Sequence, residues 1–167
     1  TANSLSFGLI ELLKNPDQLA RFRDDPSCRP NATAEIVRYQ HPGRFLPRFA
    51  KEATVVAGAP VRAGQMIFCS VPSANRDPSV IEDPDRFDIL RTPHDLSAFG
   101  VGRHFCIGAQ LAKRELEVAL SHILERLPNL EIAGSFDAIP YRANPAVRGP
   151  ASLPIRFTPG APKGSVS

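Results

Sequence analysis

Apolar residues crowd most of the helical circumference in the opening stretch "TANSLSFGLIELL", residues 1–13, which predicts a helix that needs burial on several sides. No N-cap precedes it, although the first amides of a buried helix need partners. Asn15, Pro16 and Gln18 then read as an N-cap, a first-turn proline and a capping-box partner, starting a second, short helix that closes near Pro26. Asn31 reads as the cap of a third helix, "ATAEIVRYQ", which Pro42 stops. Between residues 49 and 71 the pattern changes. Thr54, Val55 and Val56, and later Ile67 and Phe68, stand among the turn signals Gly58 and Ala63-Gly64, predicting short strands of a small antiparallel sheet.

Residues 72–98 carry Pro72, Pro78, Pro84 and Pro93 among many aspartates, and no period survives, so this stretch reads as a meander. Periodicity returns with Ala112, Leu116, Ala119, Leu120, Ile123 and Leu127, spaced as the buried stripe of a helix of about five turns that Pro128 ends. "LEIAG" and "SLPIRF" are short strand candidates, and the tail 158–167, "TPGAPKGSVS", is expected to be disordered. No internal repeat or interdomain linker interrupts the chain.

Composition narrows this picture in three ways. A chain of 167 residues with 43% apolar content can bury a core as one domain, and its 17 prolines, about twice the ordinary share, argue for much extended or meandering chain and against a pure helix bundle. The net charge of +3 comes from basic residues interleaved with acids, not gathered into a stripe with aromatics, so no nucleic-acid partner is expected. Cys28, Cys69 and Cys106 are odd in number, far apart and without a CxxC pair, which fits neither a disulfide framework nor a structural zinc site. A reducing, cytoplasmic setting is the expectation. With no apolar run of roughly 18 residues and no signal-peptide layout, no membrane partner is expected either.

The chemistry concentrates in "FGVGRHFCIGAQLAKREL", residues 99–116, where Cys106 stands just ahead of the long helix. The free amides of a helix's first turn and its dipole favour negative charge at such a sulfur. Gly100, Gly102 and Gly108 remove side chains around it, which permits positive φ and the close approach of a flat partner. His104 can aim a donor at an anionic edge of that partner. A buried free cysteine in a glycine-rich turn is the plainer reading of any single such residue. A zinc site built from His94, His104 and Cys106 lacks a fourth ligand at a usual spacing.

Residues 99–109, FGVGRHFCIGA, resemble the haem-binding signature of the cytochrome P450 family, FGxGxHxCxGA, in its soluble bacterial form. Glu35 and Arg38 in "AEIVRY" resemble that family's ExxR pair, and "PDRF" at 84–87 resembles its PERF segment, with Asp85 in place of glutamate. At i, i+3 the two share a helix face, where an exposed pair would be worth under about 1 kcal/mol. "LPRFA", "ANRDP", "DPDRFDILR" and "NPDQLARFRDDP" also match in order, so the likeness runs over residues 1 to about 157.

The resemblance implies a mainly helical α+β fold, the C-terminal part of a P450 fold: a truncated central helix, the ExxR helix, small antiparallel sheets, a meander, a cysteine-ligand loop and a long following helix. Residues 1–157 would form this haem-binding part, and 158–167 a tail. It implies haem b as cofactor, with Cys106 as the axial thiolate on iron, Phe99 packed against the ligand loop, Gly100 and Gly108 leaving room, and His104 and Arg48 meeting haem propionates. Glu35, Arg38 and Arg86 would lock helix to meander behind the haem. The implied activity is insertion of one oxygen atom of O₂ into a small organic substrate, with electrons from a ferredoxin- or flavodoxin-type donor that could dock on Arg103, Lys113 and Arg114. Substrate contacts are implied at residues 43–46 and 144–147.

Two departures stand out. Family members often carry histidine where this chain has Leu96, His94 lying two positions earlier. The match also starts just past the acid and threonine that deliver protons to oxygen, Thr1 matching the residue after them, so no catalytic residue is assigned. An inactive haem-binding or non-folding remnant, with the first helix's apolar faces left uncovered, is the competing expectation.

Overall fold

A computed structural model of the chain describes residues 1–92 and 97–158. Helix α1 spans Ala2–Lys14 and buries Phe7, Leu9, Ile10 and Leu12 on more than one side, as the dense apolar pattern requires. None of its residues is among the large exposed apolar side chains, so the expected uncovered faces of this helix are covered within the chain itself. Asn15 differs from its expected role. Its side-chain amide donates to the Glu11 carbonyl at 2.8 Å and its backbone N–H bonds the same turn, so it closes α1 and offers α2 (Pro16–Asp24) no side-chain cap. Gln18 likewise turns away from the helix start, its side-chain oxygen accepting from the Ile89 amide at 3.0 Å.

Asp25 accepts from the Ser27 amide at 2.9 Å and starts a 3₁₀ turn, Pro26–Cys28. Helix α3, Arg29–Tyr39, follows at once. It begins ahead of Asn31 because Pro30 sits in its first turn, where the missing N–H costs no helical bond. Strand β1 (Phe45–Phe49) is followed by the hairpin β2 (Thr54–Val56) and β3 (Ala59–Val61), whose turn residues Ala57 and Gly58 both have left-handed φ, 49° and 81°. Strand β4 (Met66–Ser70) returns to pair antiparallel with β1, with Pro47 opposite Phe68. A single helical turn, α4 (Val71–Ala74), leads into the meander.

Helix α5, Ala109–Arg126, buries Leu116, Leu120 and Leu124, one residue per turn. Strands β5 (Glu131–Ile132) and β6 (Ile155–Arg156) pair antiparallel near the end of the described chain. The core joins Leu9 and Leu12 of α1 to Ile36 of α3 and Leu120 of α5, with Phe87 and Ile89 of the meander on the same cluster. Of the predicted stripe, Leu116 and Leu120 are buried and Ile123 and Leu127 pack half-buried on the same core, while Leu124, which the spacing left out, is buried with them. Large exposed apolar side chains lie elsewhere, at Phe49 and Phe68 on the β1–β4 pair and at Phe105, Ile107 and Leu111 around the cysteine loop. No helix among the described residues is long and apolar enough to cross a membrane.

Gly8 lets α1 pack against both α3 and α5: a Cβ there would lie 3.1 Å from the Ile36 Cδ1 atom and 3.2 Å from Leu120 Cδ1. Gly8→Leu is expected to force these helices apart and destabilise the fold by about 1–3 kcal/mol. Urea unfolding followed by circular dichroism reads this as a lower midpoint.

Candidate functional site

A cleft of about 680 Å³ is bounded by the first turn of α1, by Leu46 and Arg48 of β1, by residues 98–100, His104 and Cys106, and by Leu116 of α5. Its volume falls in the range of small-molecule sites. Cys106 stands on its wall, exposed, with its backbone N–H donating to the Phe99 carbonyl at 2.8 Å and its own carbonyl accepting from the Ala109 amide at 3.1 Å. These two bonds fasten the cysteine between the preceding loop and the start of α5. Gly100 and Gly102 take left-handed φ of 76° and 67°, so the loop reverses there as no branched residue could. Gly108 behaves differently. Its φ is −87°, and an added Cβ would meet the Cys106 sulfur at 3.9 Å, so it contributes space beside the sulfur and no special conformation.

Phe99, Gly100, His104 and Arg48 all line the same cleft. Phe99 packs on the cluster of Val37, Ala98 and Leu116. His104 ends a 3₁₀ turn, Gly102–His104, and is exposed, and Arg48 is exposed with Nη1 donating to the Pro47 carbonyl at 2.8 Å. His41 was not singled out in the sequence. Its ring nitrogens lie 2.7 Å from the Gly43 carbonyl oxygen and 2.6 Å from that of Ala98, so it bridges the approach to β1 and the approach to the cysteine loop. His94 and Leu96 lie outside the described residues.

Behind the cleft Glu35 and Arg38 form a bidentate pair at 2.7 and 2.8 Å, each side chain 1% exposed. Arg38 Nη1 also donates to the Asn75 and Pro84 carbonyls at 2.9 and 2.8 Å, and Nη2 to the Arg86 carbonyl at 3.2 Å. One guanidinium thus ties α3 to the start and to the middle of the meander. The Glu35 carboxylate accepts further bonds from the Asp88 amide at 3.0 Å and from Arg91 Nε at 3.5 Å. Arg91, not Arg86, is therefore the second arginine of the lock. The Arg86 guanidinium is 63% exposed and pairs with Asp88 and Asp83, and only its carbonyl joins the network. Phe87 and Ile89 are buried in the core, and a turn closed by the Arg91 amide donating to the Asp88 carbonyl at 3.0 Å brings Arg91 back toward Glu35, an arrangement with no signal in the sequence. Arg76 of "ANRDP" supplies another tie, over the Tyr39 ring at 4.2 Å and salt-bridged to Asp85.

Cys28 and Cys106 are opposites. Burial pushes the Cys28 thiol above its ordinary value, with the Asp25 charge adding to the effect. Because the folded state then holds this proton more tightly than the unfolded chain, its contribution is intact below the ordinary thiol range and declines as pH rises through it. Alkylation at neutral pH is expected to modify Cys69 and Cys106 in the folded chain and to reach Cys28 only after unfolding, which peptide mass mapping checks.

A mainly helical α+β fold that sets one exposed cysteine on an open cleft, braced by a buried Glu–Arg–Arg lock, is the class that emerges. The family model for cytochrome P450 matches residues 30–133. The chain is 42% identical over 164 residues to cytochrome P450 107B1 of Saccharopolyspora erythraea, covering 96% of this chain and 40% of that protein. It is 41% identical over 162 residues to a steroid C26-monooxygenase of Mycolicibacterium smegmatis, covering 97% and 40%. Among solved structures it superposes on CalO2 with a TM-score of 0.91 at 35% identity, covering 96% of this chain and 40% of that one. The chain belongs to the cytochrome P450 family, with a partial P450 fold, and spans about 40% of the length of the relatives it matches.

Proposed function

We propose that this chain forms the haem-binding part of a haem-thiolate monooxygenase, which inserts one oxygen atom of O₂ into a small organic substrate and reduces the other to water. The observation that carries the reading is the convergence of Cys106, Arg48 and His104 on one cleft. The residues fit haem b: a single soft thiolate donor for iron, a cation and an imidazole for two anionic propionates, and apolar Leu46, Phe99 and Leu116 for a flat macrocycle. Bound haem would supply the activation of dioxygen.

The chain's own residues bind and orient. Cys106 would hold the iron from its seat between the Phe99 carbonyl and the start of α5. Gly100, Gly102 and Gly108 would keep that seat open, while Glu35, Arg38 and Arg91 hold the meander rigid behind it. Arg103, Lys113 and Arg114 would present a basic face to an acidic ferredoxin- or flavodoxin-type donor. Residues 43–46 and 144–147 would touch the substrate. Residues 1–157 act as one haem-binding unit followed by a tail from 158, in a bacterial, cytoplasmic protein. As a separate polypeptide of this length the chain is expected to be inactive, since it spans about 40% of its relatives and leaves Phe49, Phe68 and Ile107 exposed.

The test is isotopic. With the intact protein, a reconstituting electron donor and ¹⁸O₂, one labelled oxygen per product molecule is expected in a substrate found by binding screen. Product labelled from water instead contradicts the proposal.

A further inference from the structure

The Gln40 side chain links two elements that border the cleft to the turn at residues 144–147. Its amide nitrogen donates to Glu11 Oε1 at 2.7 Å, and its amide oxygen accepts from Arg148 Nη1 at 2.7 Å. The orientation follows from chemistry: arginine only donates, so the Gln40 oxygen must face Arg148 and its nitrogen must face the Glu11 carboxyl group. Glu11 is buried, and Phe7, one turn earlier on the same face of α1, carries the Arg148 guanidinium over its ring at 5.4 Å. The Tyr141 ring holds the same guanidinium at 4.8 Å. Arg148 is thus pinned by two rings and one amide.

What Arg148 carries is the turn before it. Its backbone N–H donates to the Pro42 carbonyl at 2.7 Å, the Arg44 amide donates to the Ala146 carbonyl at 2.9 Å, and Gly43 bridges Val147. Pro42 and Leu46 line the cleft, as do Thr1 and Ser4 of α1. We infer that Gln40, acting through Glu11 and Arg148, is a positioning residue that sets the substrate side of the cleft, and this rests on the monooxygenase reading above. A primary amide of this length is the one group that donates to a carboxyl group and accepts from a guanidinium here. Leucine breaks both bonds, and glutamate sets a second carboxyl group against Glu11.

Two probes of different reach test it in the intact, haem-loaded protein: imidazole, which needs only the iron, and 4-phenylimidazole, whose phenyl group must also fit the cleft. Gln40→Leu and the milder Gln40→Asn are expected to weaken 4-phenylimidazole binding about tenfold, the scale of one or two lost hydrogen bonds, with imidazole binding unchanged. Gln40→Glu is expected to behave like Gln40→Leu. The exchange E11Q/Q40E, which lets the new amide donate to a glutamate still paired with Arg148, is expected to restore binding to within about twofold of the original. Unchanged 4-phenylimidazole binding in Gln40→Leu and Gln40→Asn, equal losses for both probes, or no rescue by the exchange would overturn the inference. An unsubstituted protein with no thiolate-type spectrum removes the monooxygenase reading itself, a failure visible before any variant is made.

Discussion

Arg38→Ala is expected to leave the intact protein without haem and less stable by about 3–5 kcal/mol, the cost of removing one partner of a buried ion pair. The size follows from what the guanidinium does. It satisfies both oxygens of Glu35 and the carbonyls of Asn75, Pro84 and Arg86, and its side chain is 1% exposed, so water cannot take its place. Its loss leaves the Glu35 carboxylate with the Asp88 amide and the longer Arg91 contact. The meander then loses three of its bonds to α3, and the anchoring of the Phe87 and Ile89 side chains that it delivers to the core is weakened. Arg38→Lys is expected to fail nearly as badly, because an ammonium cannot make the bidentate fork. Haem stoichiometry from absorbance and urea midpoints check this, and a fully haem-loaded Arg38→Ala protein would show that the lock is dispensable.

Cys106→Ser is expected to abolish oxygen insertion while leaving the fold intact. Cys106 is exposed on the cleft wall, so its replacement opens no cavity, and its two backbone bonds to Phe99 and Ala109 do not involve the sulfur. The thermal midpoint of the haem-free protein should therefore move little, whereas the oxygen donor that replaces sulfur cannot give iron the same electron density. A substantially destabilised Cys106→Ser protein, or one that still inserts oxygen, would assign the cysteine a different role.

The sequence makes the site legible where chemistry is local. Glycines at 100, 102 and 108 around Cys106, and the i, i+3 pair Glu35 and Arg38, are visible because neighbours in the chain are neighbours in space. The stripe of α5 is visible for the same reason. What escapes is decided at a distance. Arg86 and Arg91 lie in one run of bends and turns, and how that run folds onto α3 decides that Arg91 reaches Glu35 while the Arg86 guanidinium stays outside. Asn15 carries equally good signals for closing one helix and opening the next, and the junction geometry settles it. Strand β3 contains alanine and proline, poor strand formers, and is held by its hairpin turn and its pairing with β2. His41 and Gln40 show no motif at all, since their partners at Ala98, Glu11 and Arg148 lie far away along the chain.

The measurement that bears most directly on the whole account is the absorption spectrum of the intact protein, reduced and exposed to carbon monoxide. Thiolate ligation through Cys106 predicts a strongly red-shifted Soret band, lost in Cys106→Ser. A Soret band at the ordinary position, or a shifted one that survives the loss of this sulfur, would contradict the assignment.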